Sequence, residues 1–161
     1  MEVTVIDERV EDGDWWQASR YTGYLASAVR AGEVYMVDVA SMVQNVLKKL
    51  GNEQIERLNI LDHGSTYGIQ IGSDWVTAEN VGSYEPTLSK LRSRFSPQGF
   101  LHLQHCMAGN NRSLMMAFSR IFGVRVYAGT GYQNPIYRIN TGNYVVCVEH
   151  GCVDAARPGP R

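Results

Sequence analysis

Two apolar runs set the frame of this chain: residues 55–61, which become solidly apolar at Ile60-Leu61, and residues 100–104, Phe-Leu-His-Leu-Gln. Short apolar runs bounded by turn residues read as strands buried on both faces, and such strands belong to sheets whose crossovers are helices. Each run leads into a residue able to do chemistry. The first ends in Asp62-His63-Gly64-Ser65 and the second in His105-Cys106. In a parallel sheet, ligands and reactive groups gather at the carboxyl ends of the strands, so the pattern brings the His63 imidazole and the Cys106 thiol to one crevice.

The segments around these runs support a parallel sheet. Residues 3–6 read as a short strand, and the acidic stretch 7–14, broken by Gly13, as a loop. Residues 15–30 fit a helix only in part, weakened by Gly23, with Trp15 and Trp16 anchoring the segment to the core. The spacing of Val39, Met42, Val43, Val46, Leu47 and Leu50 predicts a helix over 33–50, with Lys48-Lys49 at its carboxyl end and Gly51 as its stop. A small hairpin is expected over 67–76, turning at Gly72-Ser73 and walling a cleft. Glu85-Pro86 opens a helix carrying Leu88, Leu91 and Phe95, ended by Pro97-Gln98-Gly99. Another helix is expected over 113–122, capped by Ser113 or Asn111 and closed by Gly123. Residues 124–128 read as a strand, and 136–139 with 144–149 as a closing hairpin. This alternation argues for an α/β fold, a three-layer sandwich with a mostly parallel central sheet. It forms a single domain over 1–154, followed by a flexible tail over 155–161.

Composition narrows the function classes. A chain of 161 residues builds one domain with a real core. Its 15 basic and 16 acidic residues nearly cancel, which gives no broad footprint for nucleic acid or an anionic membrane. No apolar run reaches the ~20 residues needed to cross a bilayer, and the first residues lack a signal-peptide pattern. The three cysteines, Cys106, Cys147 and Cys152, are an odd number, arguing for at least one free thiol and a reducing site of synthesis. The expected location is cytoplasmic, or secreted without a cleavable signal peptide.

A thiolate is the reactive form of cysteine, and a neighbouring imidazole can take its proton or stabilise its charge. Glycine after His63 leaves an unobstructed backbone N–H, as an oxyanion site requires. His105 abuts Cys106, but neighbours on a strand face opposite ways, so His63 is the better partner. Asp62 faces away from His63 on the same grounds, unless a bend at the strand end brings it round to orient the ring. Cys147, His150 and Cys152 could hold zinc with His105 or Cys106 as fourth ligand, but their spacing departs from common structural zinc patterns. An ordinary edge strand is the better reading there, and neither metal nor cofactor is expected.

An apolar strand ending in His-Gly, followed about forty residues later by one ending in Cys, resembles the caspase-like cysteine peptidases: caspases, legumain, clostripain, gingipain and separase. Residues 58–132 look most like short bacterial caspase-like domains. The resemblance implies His63 as general acid and base, Cys106 as nucleophile, and the N–H groups of Gly64 and Cys106 as the oxyanion hole. It puts Gln104 where caspases have the glutamine lining the pocket for the residue before the cut. The glycine that follows the caspase cysteine stands one residue later here, in Met107-Ala108-Gly109, so a caspase-type aspartate preference does not carry over. Substrate-binding residues are then expected at Gln104, in the hairpin 67–75, and at Thr130 and Tyr132. A basic substrate residue is expected if Asp62 or Asp74 projects into that pocket, and a small or neutral one otherwise.

The implied function is a cysteine peptidase or amidase cleaving a peptide or isopeptide bond, in the setting of a bacterial toxin or effector. Its partners are a protein or peptide substrate and an inhibitory or immunity protein, with no nucleic acid and no membrane. The alternative is a catalytically silent caspase-like binding or regulatory module, since fold does not fix function. A third reading is a metal-stabilised interaction domain built on the carboxyl-terminal Cys-His cluster.

Overall fold

The first strand, β1 (Glu2–Asp7), shows the period-two pattern of its sequence: Val3 and Val5 are wholly buried, Glu2 and Thr4 only partly. The computed structural model describes residues 1–7, 33–134 and 139–159, so the expected acidic loop beyond Asp7 and the segment carrying Trp15 and Trp16 lie outside the described residues.

The helix expected over 33–50 starts late. Residues Glu33–Met36 form strand β2, parallel to β1, and the helix α1 is Val39–Leu50. The cause is local. Asp38 caps the helix by accepting the Ser41 N–H (2.7 Å), and the Ser41 hydroxyl accepts the Asp38 N–H (3.1 Å). Before that box, Val34 and Met36 bury on alternate positions, which suits a strand.

Strand β3 (Ile55–Leu61) follows, then the expected hairpin as β4 (Ile69–Ile71) and β5 (Asp74–Val76). The next helix also departs from expectation. It begins earlier, as α2 (Val81–Leu88), where Thr77 and Asn80 exchange side-chain hydrogen bonds with each other's N–H groups. Pro86 lies inside it, unable to donate to the Gly82 carbonyl, and three residues later the chain tightens into a 3-10 turn (Ser89–Arg94). Phe95 is therefore strand, opening β6 (Phe95–Gln104). A 3-10 turn (Ala108–Asn110) leads to α3 (Arg112–Phe122), capped by Asn111 accepting the Leu114 N–H (3.2 Å) and closed by Gly123 at φ 70°. Strand β7 is Arg125–Gly129.

Of the hairpin expected between 136–139 and 144–149, residues 136–138 lie outside the described residues, and the described ends pair elsewhere. Strands β8 (Gln133–Asn134) and β9 (Ile139–Asn140) form a small ladder of their own. Strand β10 (Tyr144–Val148) pairs antiparallel with β7 and with β11 (Gly151–Ala155). In that last hairpin Cys147 and Cys152 stand opposite each other and form a disulfide.

The main sheet has seven strands in the order β11-β10-β7-β6-β3-β1-β2, the five from β7 to β2 parallel. The crossovers β2 to β3, β3 to β6 and β6 to β7 step in one direction, so right-handed connections put α1, α2 and α3 on one face. That face is apolar: Val5, Leu58, Ile60, Leu101, Leu103, Val126 and Val145 share one core with Met42, Val46, Leu88, Leu114 and Phe118. The opposite face is polar, with Thr4, Asn59, His102 and Tyr127 in one register row. On it the Arg57 guanidinium donates to the Gly159 carbonyl (2.6 Å), and Pro158 is buried. The tail expected to be loose from Ala155 is thus held as far as Gly159. The architecture is mixed α/β with a mostly parallel central sheet and helices packed against it.

Candidate active site

Strands β3 and β6 are neighbours in parallel register, Leu61 opposite Gln104, so residues 62–63 and 105–106 leave the sheet side by side. His63 is exposed at this edge and Cys106 is half-buried with a free thiol. The two strand ends touch through Gly64. A Cβ at position 64 would come within 2.7 Å of the His105 Cβ and 2.8 Å of the Cys106 carbonyl oxygen, which only glycine avoids. The bridge between Gly64 and Ile69 is closed by Gln70 N–H to the His63 carbonyl (2.8 Å) and Ser65 N–H to the Gly68 carbonyl (2.9 Å). That pairing leaves the Gly64 N–H without a backbone partner among the described residues.

The chain turns sharply after the cysteine. Met107 has φ 61° and ψ 6°, the one positive φ at a non-glycine position among the described residues. Such a conformation costs about 1–3 kcal/mol and persists only where the surroundings impose it. Here Met107 N–H donates to the Gly131 carbonyl (2.8 Å), pinning the turn to the loop after β7. Two residues on, Gln133 N–H donates to the Cys106 Sγ (3.3 Å). Gly109 then packs its Cα against the backbone at Gly129, where a Cβ would lie 2.8 Å from the Gly129 carbonyl carbon.

The β4–β5 hairpin is a fixed wall. Ser73 N–H donates to the Val37 carbonyl (2.8 Å), and Asp74 Oδ2 accepts the Val39 N–H (2.9 Å) at the start of α1. On the other side, the wholly buried His105 donates from Nε2 to the Gln70 carbonyl (2.8 Å), leaving Nδ1 without a partner. Burial, with a smaller push from His63, lowers this imidazole to about 4, against the opposing effect of its bond to Gln70. His105 is therefore neutral. The hairpin leaves Tyr67 (79% exposed) and Trp75 (42%) bare.

The acidic candidates have their carboxylates engaged within the fold. Asp62 is buried, with Oδ1 accepting the His63 N–H (2.8 Å) and Oδ2 the Gly72 N–H (2.9 Å). Burial and the neighbouring charge of buried Asp7 push its carboxyl up to about 7, while the two N–H bonds oppose that rise. Asp62 therefore braces the His63 backbone from below the hairpin, with both of its carboxylate oxygens engaged there. Asp74 is occupied at α1.

Gln104 also points away from the thiol loop. Its amide donates to Asn59 Oδ1 (3.3 Å) on the polar sheet face, near His102, whose Nδ1 accepts from Arg57 (3.0 Å). Burial first, then the charges of Arg57 and Arg157, lower His102 to about 3. Thr130 has its N–H on the Asn143 carbonyl (2.8 Å) and its hydroxyl accepting the Asn143 N–H (2.8 Å), so it holds the loop together. Tyr132, 65% exposed, is the member of that loop left bare beside Cys106.

The structure thus gathers His63, Gly64 and Cys106 and sets Tyr132 beside them, while Asp62, Gln104 and Thr130 serve as supports. Sequence reasoning missed Asp7, Met107 and Gln133. Asp7 had a signal, since an aspartate follows Ile6 in β1 as Asp62 follows Leu61, the residue paired with Ile6 at the end of β3. The other two act through backbone geometry, which residue type does not announce. Among the described residues, no group of three His, Cys, Asp or Glu side chains is placed to hold a metal ion, and the thiols of the carboxyl-terminal cluster are joined to each other. No helix among the described residues is long and apolar enough to cross a membrane.

No curated protein matches the chain. Residues 3–135 match the family model described as a domain of unknown function, DUF4347. With most of its length inside that match, the chain belongs to the DUF4347 family.

Proposed function

We propose that this domain is a cysteine peptidase or amidase of caspase-like type, with Cys106 as nucleophile and His63 as general acid and base. The observation that carries the reading is the contact between the two strand ends: Gly64 seated on the His105–Cys106 backbone, directly after His63. In the proposed reaction the Cys106 thiolate attacks the carbonyl carbon of a peptide or isopeptide bond. The carbonyl oxygen becomes an oxyanion, held by the N–H groups of Gly64 and Cys106. Protonated His63 gives its proton to the departing amine as the C–N bond breaks, leaving a thioester. Water then attacks the thioester, His63 takes its proton, and the carboxylate product leaves with the thiol restored.

The strained turn at Met107 and the Gln133 backbone against the sulfur support this assignment, because they fix where the thiol points. With Asp62 and Asp74 occupied elsewhere and aromatic Tyr67 and Tyr132 exposed nearby, the residue before the cut is proposed to be uncharged. The test is to incubate wild type and Cys106→Ala with a diverse peptide mixture and read new termini by mass spectrometry. New termini made by wild type alone, after uncharged residues, are the expected result. No difference between the two proteins would reject hydrolysis and favour a silent binding module.

A further inference from the structure

We propose that Asn140 is a positioning residue that sets the reactivity of Cys106 by holding the Gln133 N–H against its sulfur. The inference rests on the reading of Cys106 as nucleophile and extends it to a residue 34 positions away, on the far strand of the small β8–β9 ladder.

One side-chain oxygen organises the loop. Asn140 Oδ1 accepts the Gly131 N–H (3.1 Å), the Gln133 side-chain amide (2.9 Å) and the Gly142 N–H (3.3 Å). Its Nδ2 donates to the Asn143 carbonyl (2.9 Å). The contacts that reach the cysteine leave from this same stretch: the Gly131 carbonyl takes the Met107 N–H, and the Gln133 N–H points at the Cys106 Sγ. Asn140 touches neither the thiol nor His63 through any of these bonds. Its effect passes through Gly131 and Gln133. The Cys106 thiol also donates to the Gln133 carbonyl (3.9 Å), so both backbone groups of Gln133 face the sulfur, and of the two only the N–H contact survives ionisation; a loop relaxed by loss of Asn140 should therefore leave less thiolate at neutral pH.

Asn140 suits the task because an amide combines an acceptor oxygen with a donor nitrogen, satisfying groups on both sides of the turn. Thr141 is the natural comparison. Its hydroxyl accepts the Tyr132 N–H (2.9 Å), one loop hydrogen bond that does not involve Gln133 or Gly131.

The experiment measures the rate of alkylation of Cys106 by iodoacetamide across pH 5–10, with intact mass to count adducts. It compares wild type, Asn140→Ala, Asn140→Asp, Thr141→Val and His63→Ala, with a thermal melt of each to establish folding. For folded Asn140→Ala we expect labelling at pH 7 about tenfold slower and a rate profile moved up by about one pH unit. Asn140→Asp keeps the acceptor oxygens and recovers most of the rate in 1 M salt, where the screening length is about 3 Å. Thr141→Val keeps the wild-type profile. An unchanged or faster Asn140→Ala would overturn the proposal, the faster case meaning that the loop shields the thiol. Equal shifts in Asn140→Ala and Thr141→Val would also overturn it, by reducing the effect to general loop integrity. Slow wild-type labelling indifferent to His63→Ala is a different failure, of the nucleophile reading itself, and removes both.

Discussion

Cys106 and the Cys147–Cys152 pair are the same chemistry placed on two kinds of strand pairing. At the β3–β6 boundary, parallel strands end side by side, and Cys106 leaves the sheet beside His63 with no second cysteine opposite it. In the β10–β11 hairpin, antiparallel register sets Cys147 directly across from Cys152, and the two sulfurs bond. Parallel ends deliver a free thiol to a crevice, whereas an antiparallel pair consumes both thiols in a cross-link. The zinc reading of Cys147, His150 and Cys152 fails at that point, since the bonded sulfurs are no longer thiolate ligands.

The largest effect that would sharpen this contrast is the loss of the free thiol. Cys106→Ala should abolish alkylation of the unreduced protein and lower any peptide turnover by at least about 10³-fold. Wild type should take up a single adduct until reductant releases two more sites, which intact mass would count. More than one adduct without reductant would break the comparison.

A smaller effect is expected where the strand ends meet. Gly64→Ala forces a Cβ into the His105 Cβ and the Cys106 carbonyl oxygen, and overpacking of this sort costs about 1–3 kcal/mol. Denaturant unfolding should register that loss, accompanied by slower Cys106 labelling in the folded fraction. If stability and labelling both stay at wild-type values, the strand ends are not in contact.

Removing the other cysteine site should cost less in function. Replacing Cys147 and Cys152 by serine opens a short loop, for which the entropic contribution is about 2 kcal/mol. The melting temperature should fall while the labelling rate at Cys106 holds. A changed rate would mean that the hairpin and the crevice are coupled.

The smallest expected effect lies in how stability varies with pH. The Asp62 carboxyl is raised in the folded protein, so its contribution is fully present below the unfolded value near 4 and is lost as pH rises towards about 7. His102 and His105 are lowered, to about 3 and about 4, so theirs is present above about 6.5 and lost as pH falls through those values. Between pH 4 and 6.5 the two slopes oppose each other. Asp62→Asn should expose the histidine slope, giving a variant that loses stability on acidification more steeply than wild type. Parallel curves for the two proteins would show that Asp62 does not hold its proton in this range.

The parallel part of the fold was legible because its strands are short buried runs separated by helices whose apolar faces recur at threes and fours. The hairpin over 67–76 and the helix closed by Gly123 were readable for similar local reasons. Boundaries failed where periodicity gives no stop. Val34 and Met36 extend the helical pattern of α1 backwards as easily as they form a strand, and only the Asp38–Ser41 box separates the two. Phe95 fits the spacing after Leu88 and Leu91, yet Pro86 shortens the helix and hands Phe95 to β6. The partner of Tyr144–Val148 was misjudged because β propensity does not name a neighbour.

At the site, the meeting of the strand ends that lead into His63-Gly64 and Cys106 was legible from residue order. For Asp62, Gln104 and Thr130, expected around a pocket, sequence could not show that their polar atoms are engaged inside the fold. Backbone contributors such as the Gln133 N–H are invisible to a reading of side chains.

The central claim is that Cys106 is activated by His63. The most direct measurement is thiol labelling of wild type, His63→Ala and Cys106→Ala across pH, with intact mass locating the adduct. We expect fast labelling at Cys106 near neutral pH, slowed about tenfold or more without His63, and no adduct in Cys106→Ala. Slow labelling of wild type at the same rate as His63→Ala would contradict it and return Cys106 to the role of a structural residue.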